Sequence, residues 1–142
     1  MNNPAREVLQ GKLASLQTYY RELAELQQIT FEDYLGNRLY KRTVERLLQL
    51  IVEAATDINN LVLKGAGKEA PLDYYSSFIE LAAANVFPMK FALKIAPSTG
   101  LRNIIVHEYQ AIDDRVVYAS IQVTLKYYLE YMKYLEEYLS TR

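Results

Sequence analysis

The stretch DDRVVYASIQVTLKYYLEYMKYLEEYL, residues 113–139, is the most regular part of this 142-residue chain and decides its fold class. Apolar residues recur in it at alternating steps of three and four, which is the repeat of one buried helix face. Tyr127, Tyr131, Tyr134 and Tyr138 form a second stripe beside the first. We predict one long helix with a wide buried face whose tyrosine hydroxyls reach solvent. Contact between the second stripe and another subunit is the alternative.

The same helical periodicity continues through the rest of the chain. Four further helices are expected around residues 9–23, 39–63, 74–84 and 88–107. Pro97 must kink or interrupt the fourth of these, and residues 30–37, which include Gly36, are predicted to break the pattern. No strand pattern, phosphate-binding loop or repeat is present. The sequence therefore predicts a single domain over residues 1–142, an all-α, up-and-down bundle of about five helices.

Composition excludes several classes of function. The chain is 51% hydrophobic and 23% charged, with a net charge of -1, which argues against a dedicated electrostatic nucleic-acid binder but leaves room for a local basic cleft. Without cysteine there is no disulfide or thiolate nucleophile, and a single histidine makes a metal site unexpected. The chain shows no secretory leader and no apolar run of membrane-spanning length. We expect a cytoplasmic protein without a cofactor.

The only histidine lies in GLRNIIVHEY, residues 100–109, where four other polar residues flank an apolar run. On a continuous helix Arg102 and Tyr109 share one face, whereas Arg102 and His107 point about 140° apart. A helix end near His107, or completion of the site across a symmetric dimer, would reconcile them. The structural alternative is that His107 caps the last carbonyls of a helix and Arg102 pairs with Glu108.

The string from Arg102 to Tyr109 fits the motif R-x4-H-x-Y, and with it the chain resembles the HepT-like toxin branch of the HEPN superfamily. Residues 101–118 and 44–63, the latter including Asp57, are similar to that branch throughout, and the number and order of helices agree. The resemblance implies a metal-independent ribonuclease toxin of a type VII toxin–antitoxin system, acting as a homodimer with the motif at the dimer cleft. It also implies a minimal nucleotidyltransferase antitoxin that transfers AMP to Tyr109 and silences the toxin.

The residue types of the motif suit RNA cleavage without a metal. His107 can donate or accept a proton near neutral pH, and Arg102 offers a planar, permanently charged fork for phosphate oxygens. Asn103 can hydrogen-bond a phosphate or orient the imidazole. In a two-fold dimer one His107 could act as base and its mate as acid. On the face of Arg102, a modified Tyr109 would repel RNA phosphate; a packing role for this tyrosine is the alternative.

Three acidic residues outside the motif have predicted roles. Asp57 lies in an apolar stretch, and a partly buried carboxylate needs a cationic partner, either Arg102 in support of the site or a group of the N-terminal helix. Exposure on the polar side of its helix is the alternative. Asp113 and Asp114 are predicted to cap the last helix and to complement its dipole.

Basic residues at four-residue steps are candidates for binding RNA or an acidic antitoxin. Arg38, Arg42 and Arg46 form one such stripe, and Lys90 and Lys94 form another on the helix that leads to the motif. The alternative for both is a solvated helix face.

Two other functions stay open at this point. One is a non-catalytic HEPN-like subunit that binds substrate or nucleotide for a nucleotidyltransferase partner. The other is a structural helical adaptor that uses the tyrosine stripes as an interface. The combination of Arg102, His107 and Tyr109 favours the enzyme, because a binding platform does not need a titrating histidine close to an arginine.

Overall fold

The computed structural model describes all 142 residues and contains seven α-helices and no strand. The helices are α1 (Asn3–Glu25), α2 (Phe31–Gly36), α3 (Arg38–Gly65), α4 (Tyr74–Ala83), α5 (Met89–Ile95), α6 (Ser98–His107) and α7 (Asp114–Ser140). A 3-10 turn, Tyr109–Ala111, joins α6 to α7. The predicted all-α class is confirmed. None of these helices combines the length and the apolar character that crossing a membrane requires.

The helices begin and end where the sequence places capping residues. Asn2 accepts from the backbone N–H of Ala5 at 2.8 Å, and Asp113 accepts from that of Arg115 at 2.9 Å, as the cap predicted for the last helix. Pro88 and Pro97 directly precede α5 and α6, so the predicted interruption at Pro97 is a full break between two helices. This break is one reason why the chain has more helices than the five expected.

The second reason is α2, which lies in the segment predicted as a break. Thr30 caps it by accepting from the backbone N–H of Asp33 at 3.1 Å, and Glu32 and Asp33 in its first turn complement the helix dipole. Tyr34 is fully buried, with its ring centroid 5.5 Å from that of Tyr118. At six residues α2 is shorter than two turns, so no periodicity marks it in the sequence.

The longest helix, α3, is central and contacts α1, α2, α4, α6 and α7. Its predicted stripe is buried throughout: Val44, Leu47, Ile51, Ala55, Ile58 and Val62. Because α6, which carries the motif, also packs against this helix, side chains of α3 help to hold the motif in place.

The tyrosines of α7 form the wide buried face that the sequence predicts, with one difference. Tyr127, Tyr134 and Tyr138 are half-buried, but Tyr131 is fully buried and its hydroxyl does not reach solvent. That hydroxyl donates to Oδ1 of Asn59 at 2.6 Å and lies 3.1 Å from the carbonyl oxygen of Ala55. The polar end of Tyr131 is therefore satisfied inside the core by α3.

We expect Tyr131→Phe to lower the free energy of unfolding by about 1–3 kcal/mol, because it leaves the buried Asn59 carbonyl without its donor. Urea denaturation followed by circular dichroism measures the change. Tyr134→Phe is the matched control on the same helix, since this half-buried side chain packs mainly through its ring, 5.0 Å from Phe91. Equal effects of the two substitutions would contradict a specific role of the buried hydroxyl.

Candidate active site

The ten-residue helix α6 carries the motif and ends at His107. Ile105 is buried against the core, whereas Asn103 and His107 are exposed. The backbone leaves the helix at Glu108, with φ -131° and ψ 48°, after its N–H bonds to the carbonyl of Ile104 at 2.9 Å. The sequence allowed either a helix end near His107 or completion of the site across a dimer. The structure shows the helix end at His107.

The guanidinium of Arg102 is held against α3. Its Nε and Nη2 donate to Oε2 of Glu53 at 3.1 and 2.6 Å, and its Nη1 donates to Oδ1 of Asn103 at 3.2 Å. The Cζ atom lies 4.7 Å from the ring centroid of Tyr74, within range of a cation–π contact. Three of the five guanidinium N–H groups are thus used within the chain. Two remain, one each on Nη1 and Nη2, without a hydrogen-bond partner in the chain.

Glu53 is the acidic partner of this site, and the sequence analysis missed it. Its Oε2 also accepts from Nε2 of Gln49 at 3.1 Å, so that three donors converge on one oxygen. The carboxylate is 29% exposed and the Arg102 side chain 13%, so the pair is partly shielded from water. The available signal was an acidic residue set among buried positions of α3, one turn before Asp57.

Asp57 does not pair with Arg102, the first of the two partners that the sequence allowed. Asp57 is half exposed, and its Oδ2 pairs with Nζ of Lys12 on α1 at 3.2 Å. The partner from the N-terminal helix, which the sequence left open, is the one observed. The physical reason is that α1 lies along the face of α3 that carries Asp57, while α6 packs near Glu53.

The predicted placement of Tyr109 on the face of Arg102 is also wrong, because α6 ends two residues before it. Tyr109 begins the 3-10 turn, is 47% exposed and faces α3. The Cζ atom of Arg42 lies 5.3 Å from its ring centroid. Burial raises the pKa of the Glu45 carboxyl, and the nearby Tyr109 hydroxyl partly opposes this. The aromatic neighbour of Arg102 is Tyr74 instead.

The basic candidates all lie on the surface. Arg38, Arg42 and Arg46 are exposed along α3, and Lys90 and Lys94 are exposed on α5. This exposure is compatible with RNA or partner binding and with a solvated face alike. Arg42 and Lys94 differ from the others, since Arg42 contacts Tyr109 and Lys94 lies beside the same cavity as Arg102.

That cavity is a groove of about 350 Å³ between α3, α5, α6 and α7. Its walls are mostly apolar and include Leu101 and Ile104, next to Arg102 in the motif helix. Two valines of α7 that line it, Val116 and Val123, are 51% and 52% exposed. An apolar surface left open beside the charged site is therefore available to a binding partner.

The R-x4-H-x-Y string of this all-helical bundle spans the last turns of α6 and the start of the 3-10 turn that follows it. A model of the family described as ribonuclease HepT-like matches residues 16–135. The chain is also 35% identical over 141 residues to the tRNA nuclease HepT of Aphanizomenon flos-aquae (strain 2012/KM1/D3), covering 99% of this chain and 96% of that protein. The protein belongs to the HepT-like ribonuclease family.

Solved structures share the fold. The tri-AMPylated HEPN toxin of Shewanella oneidensis, in complex with an MNT antitoxin, superposes with a TM-score of 0.83 at 22% identity over 96% of this chain and 99% of that chain. YutE of Bacillus subtilis, a cytosolic protein of unknown function, does so with a TM-score of 0.78 at 18% identity over 93% and 91%. At these identities the likeness establishes the architecture.

We expect Glu53→Gln to lower the free energy of unfolding by about 1.5–3 kcal/mol, because it removes the charge that accepts from Arg102 in a partly shielded site. Asp57→Asn is the matched control one turn further along α3. Its exposed pair with Lys12 contributes about 0–1 kcal/mol. Chemical denaturation of both variants gives the comparison, and a larger loss for Asp57→Asn would contradict the assignment of Glu53 as the partner of Arg102.

Proposed function

We propose that this protein is the toxin of a toxin–antitoxin pair, a metal-independent endoribonuclease that cleaves RNA at the cleft of a homodimer. One observation carries the proposal: Arg102 is fixed by Glu53 with two N–H groups free, and an exposed His107 ends the same short helix. The relative at 35% identity is named a tRNA nuclease, so transfer RNA is the first substrate to test.

In the proposed reaction the ribose 2′-oxygen attacks the adjacent phosphorus while its proton leaves, and the bond from phosphorus to the 5′-oxygen breaks as that oxygen gains a proton. His107 exchanges these protons. The free N–H groups of Arg102 neutralise the charge that builds up on the phosphate oxygens. Asn103, whose Oδ1 accepts from Arg102, has its amide nitrogen available for the phosphate or the imidazole. In the dimer one His107 acts as base and its mate as acid.

The groove beside Arg102 supports the homodimer. Val116 and Val123 expose apolar surface on α7, and the groove that they line includes Arg102. A second copy packed on this surface would remove it from water and bring the two sites together, because a two-fold axis apposes the same patch of both subunits.

The position of Tyr109 supports control by an antitoxin of the minimal nucleotidyltransferase type. In the Shewanella complex the toxin is AMPylated and bound to an MNT antitoxin. Tyr109 of this chain is nearly half exposed and follows His107 by two residues, so an AMP group added to its hydroxyl would place bulk and negative charge beside the site. Arg38, Arg42, Lys90 and Lys94 are the exposed cations proposed to contact RNA or the antitoxin.

We expect Arg102→Ala and His107→Ala each to lower the rate of RNA cleavage by about 10²–10⁴-fold, because each removes a charge or proton-transfer function. The assay follows labelled transfer RNA on gels with purified protein, and light scattering verifies that each variant keeps the size of the wild type. Lys12→Ala removes a cation on α1 as the control. If wild type and variants bind RNA equally and none cleaves it, the protein is a binding subunit instead.

The homodimer has a separate test. Val123→Asp places a charge in the apolar groove, so we expect dissociation to monomers and a loss of cleavage with an unchanged helical content. Leu129→Asp is the matched control, an exposed apolar residue of α7 that does not line this groove. Light scattering and the cleavage assay report the outcome. A dimer that survives Val123→Asp but not Leu129→Asp would locate the interface on another face of α7.

A further inference from the structure

Tyr109 lies in a polar cluster that the cleavage reaction does not use. We call this the Tyr109 cluster: Tyr109, Arg42, Glu45 and Tyr34. The Cζ atom of Arg42 lies 5.3 Å from the Tyr109 ring centroid, and Glu45, three residues further along α3, shares that helix face. The tyrosine therefore has a cation against its ring, and its hydroxyl lowers the pKa of the Glu45 carboxyl.

Glu45 is an unusual residue in this position, because it is 6% exposed and forms no ion pair. The nearby cation Lys41 is taken by Asp114, at 3.1 Å. Behind Glu45, the hydroxyl of Tyr34 is buried without any hydrogen-bond partner. A buried carboxylate without a salt bridge is costly to maintain, so the presence of Glu45 at this place calls for a function.

The surroundings of Glu45 make it a stronger proton acceptor than a surface glutamate. Burial raises the pKa of its carboxyl, whereas the Tyr109 hydroxyl, Arg42 and Lys41 lower it. Asp114 acts in the same direction as burial. A carboxylate that holds a proton more firmly is the better base for a phenol, whose own ordinary pKa is near 10.

We propose that Arg42 and Glu45 present Tyr109 for nucleotidylation, with Glu45 accepting the phenolic proton. The proposal rests on the modification of Tyr109 put forward above. The phenolic oxygen forms a bond to the α-phosphorus of a nucleoside triphosphate supplied by the transferase, and the bond from that phosphorus to the bridging oxygen breaks. Pyrophosphate leaves with the electron pair of that bond, and the phenolic proton passes to the Glu45 carboxylate and then to solvent.

In this arrangement a side chain of the toxin takes part in the transfer reaction that inactivates the toxin. As the proposed acceptor of the phenolic proton, Glu45 is a catalytic residue of the transfer, whereas Arg42 acts through the ring and is a positioning residue. The exposed half of Tyr109 leaves room for the nucleotide to approach, and the 3-10 turn holds the tyrosine outside the packed core.

The test measures the initial rate of AMP transfer to purified, unmodified toxin by a minimal nucleotidyltransferase of the MNT antitoxin type, with ATP and Mg²⁺, using intact-protein and peptide mass spectrometry. We expect Glu45→Gln to lower the maximal rate by about 100-fold at an unchanged half-saturating concentration of toxin. Glu45→Asp, which keeps the acid but withdraws it by one carbon, should give an intermediate rate. Arg42→Ala should lower the rate by about tenfold, with partial recovery in Arg42→Lys.

Glu108→Gln is the matched control, because it removes an exposed acid directly next to Tyr109, and it should be modified at the wild-type rate. Circular dichroism verifies that each variant is folded; if Glu45→Gln does not fold, Glu45→Asp decides. Equal rates for wild type and the Glu45 variants would overturn the inference while leaving the modification intact. A wild-type Tyr109 peptide that stays unmodified would overturn both the inference and the proposed antitoxin control.

Discussion

The ion pair between Arg102 and Glu53 determines how the functional segment sits on the bundle. Only Thr99 and Ile105 of α6 are buried, and Leu101 packs against the core from a half-buried position, so the apolar contacts of this short helix are few. The pair supplies a directional link from α6 to α3, with two donors of Arg102 and one of Gln49 meeting a single carboxylate oxygen. Because the site is partly shielded from water, the attraction is stronger than that of a surface pair.

The fixed position of the Arg102 guanidinium also reduces the entropy cost of binding a phosphate in the proposed reaction. A free arginine side chain explores many rotamers, and each has to be abandoned when a phosphate binds. Here the Tyr74 ring and the Glu53 carboxylate already restrict the Arg102 side chain, so in the proposed reaction its two remaining N–H groups need little further ordering. Under the proposed function, the stability of the fold and the binding of phosphate depend on the same contact between Arg102 and Glu53.

The long helices were predictable because their apolar repeat runs over many turns. The helices α1, α3 and α7 span 23, 28 and 27 residues. Over this length the apolar repeat stays recognisable even where a single position departs from it. The six residues of α2 offer no such redundancy. Its formation depends on the Thr30 cap and on burial of Tyr34, and the second of these is a tertiary contact that a local pattern does not contain.

The candidate site was also predictable only in part, because it depends on tertiary contacts that a local sequence pattern does not contain. Arg102, Asn103 and His107 follow from the motif, but the choice between Asp57 and Glu53 depends on which neighbouring helix covers each turn of α3. The predicted position of Tyr109 on the face of Arg102 was wrong because it assumed an unbroken helix through Tyr109. Its true neighbours, Arg42 and Glu45, lie more than sixty residues away in the sequence, beyond the reach of any spacing rule.

One consequence follows from the continuity of α3. Glu45, next to the tyrosine, and Glu53, next to the arginine, are eight residues apart on an unbroken helix, which is about 12 Å along its axis. The helix thus acts as a rigid spacer that sets the distance and the angle between the two partners. A single residue inserted or deleted between positions 45 and 53 would turn one of them by about 100° relative to the other. The register of α3 therefore constrains both neighbourhoods at once, and length changes in this helix are far less tolerable than substitutions on its exposed side.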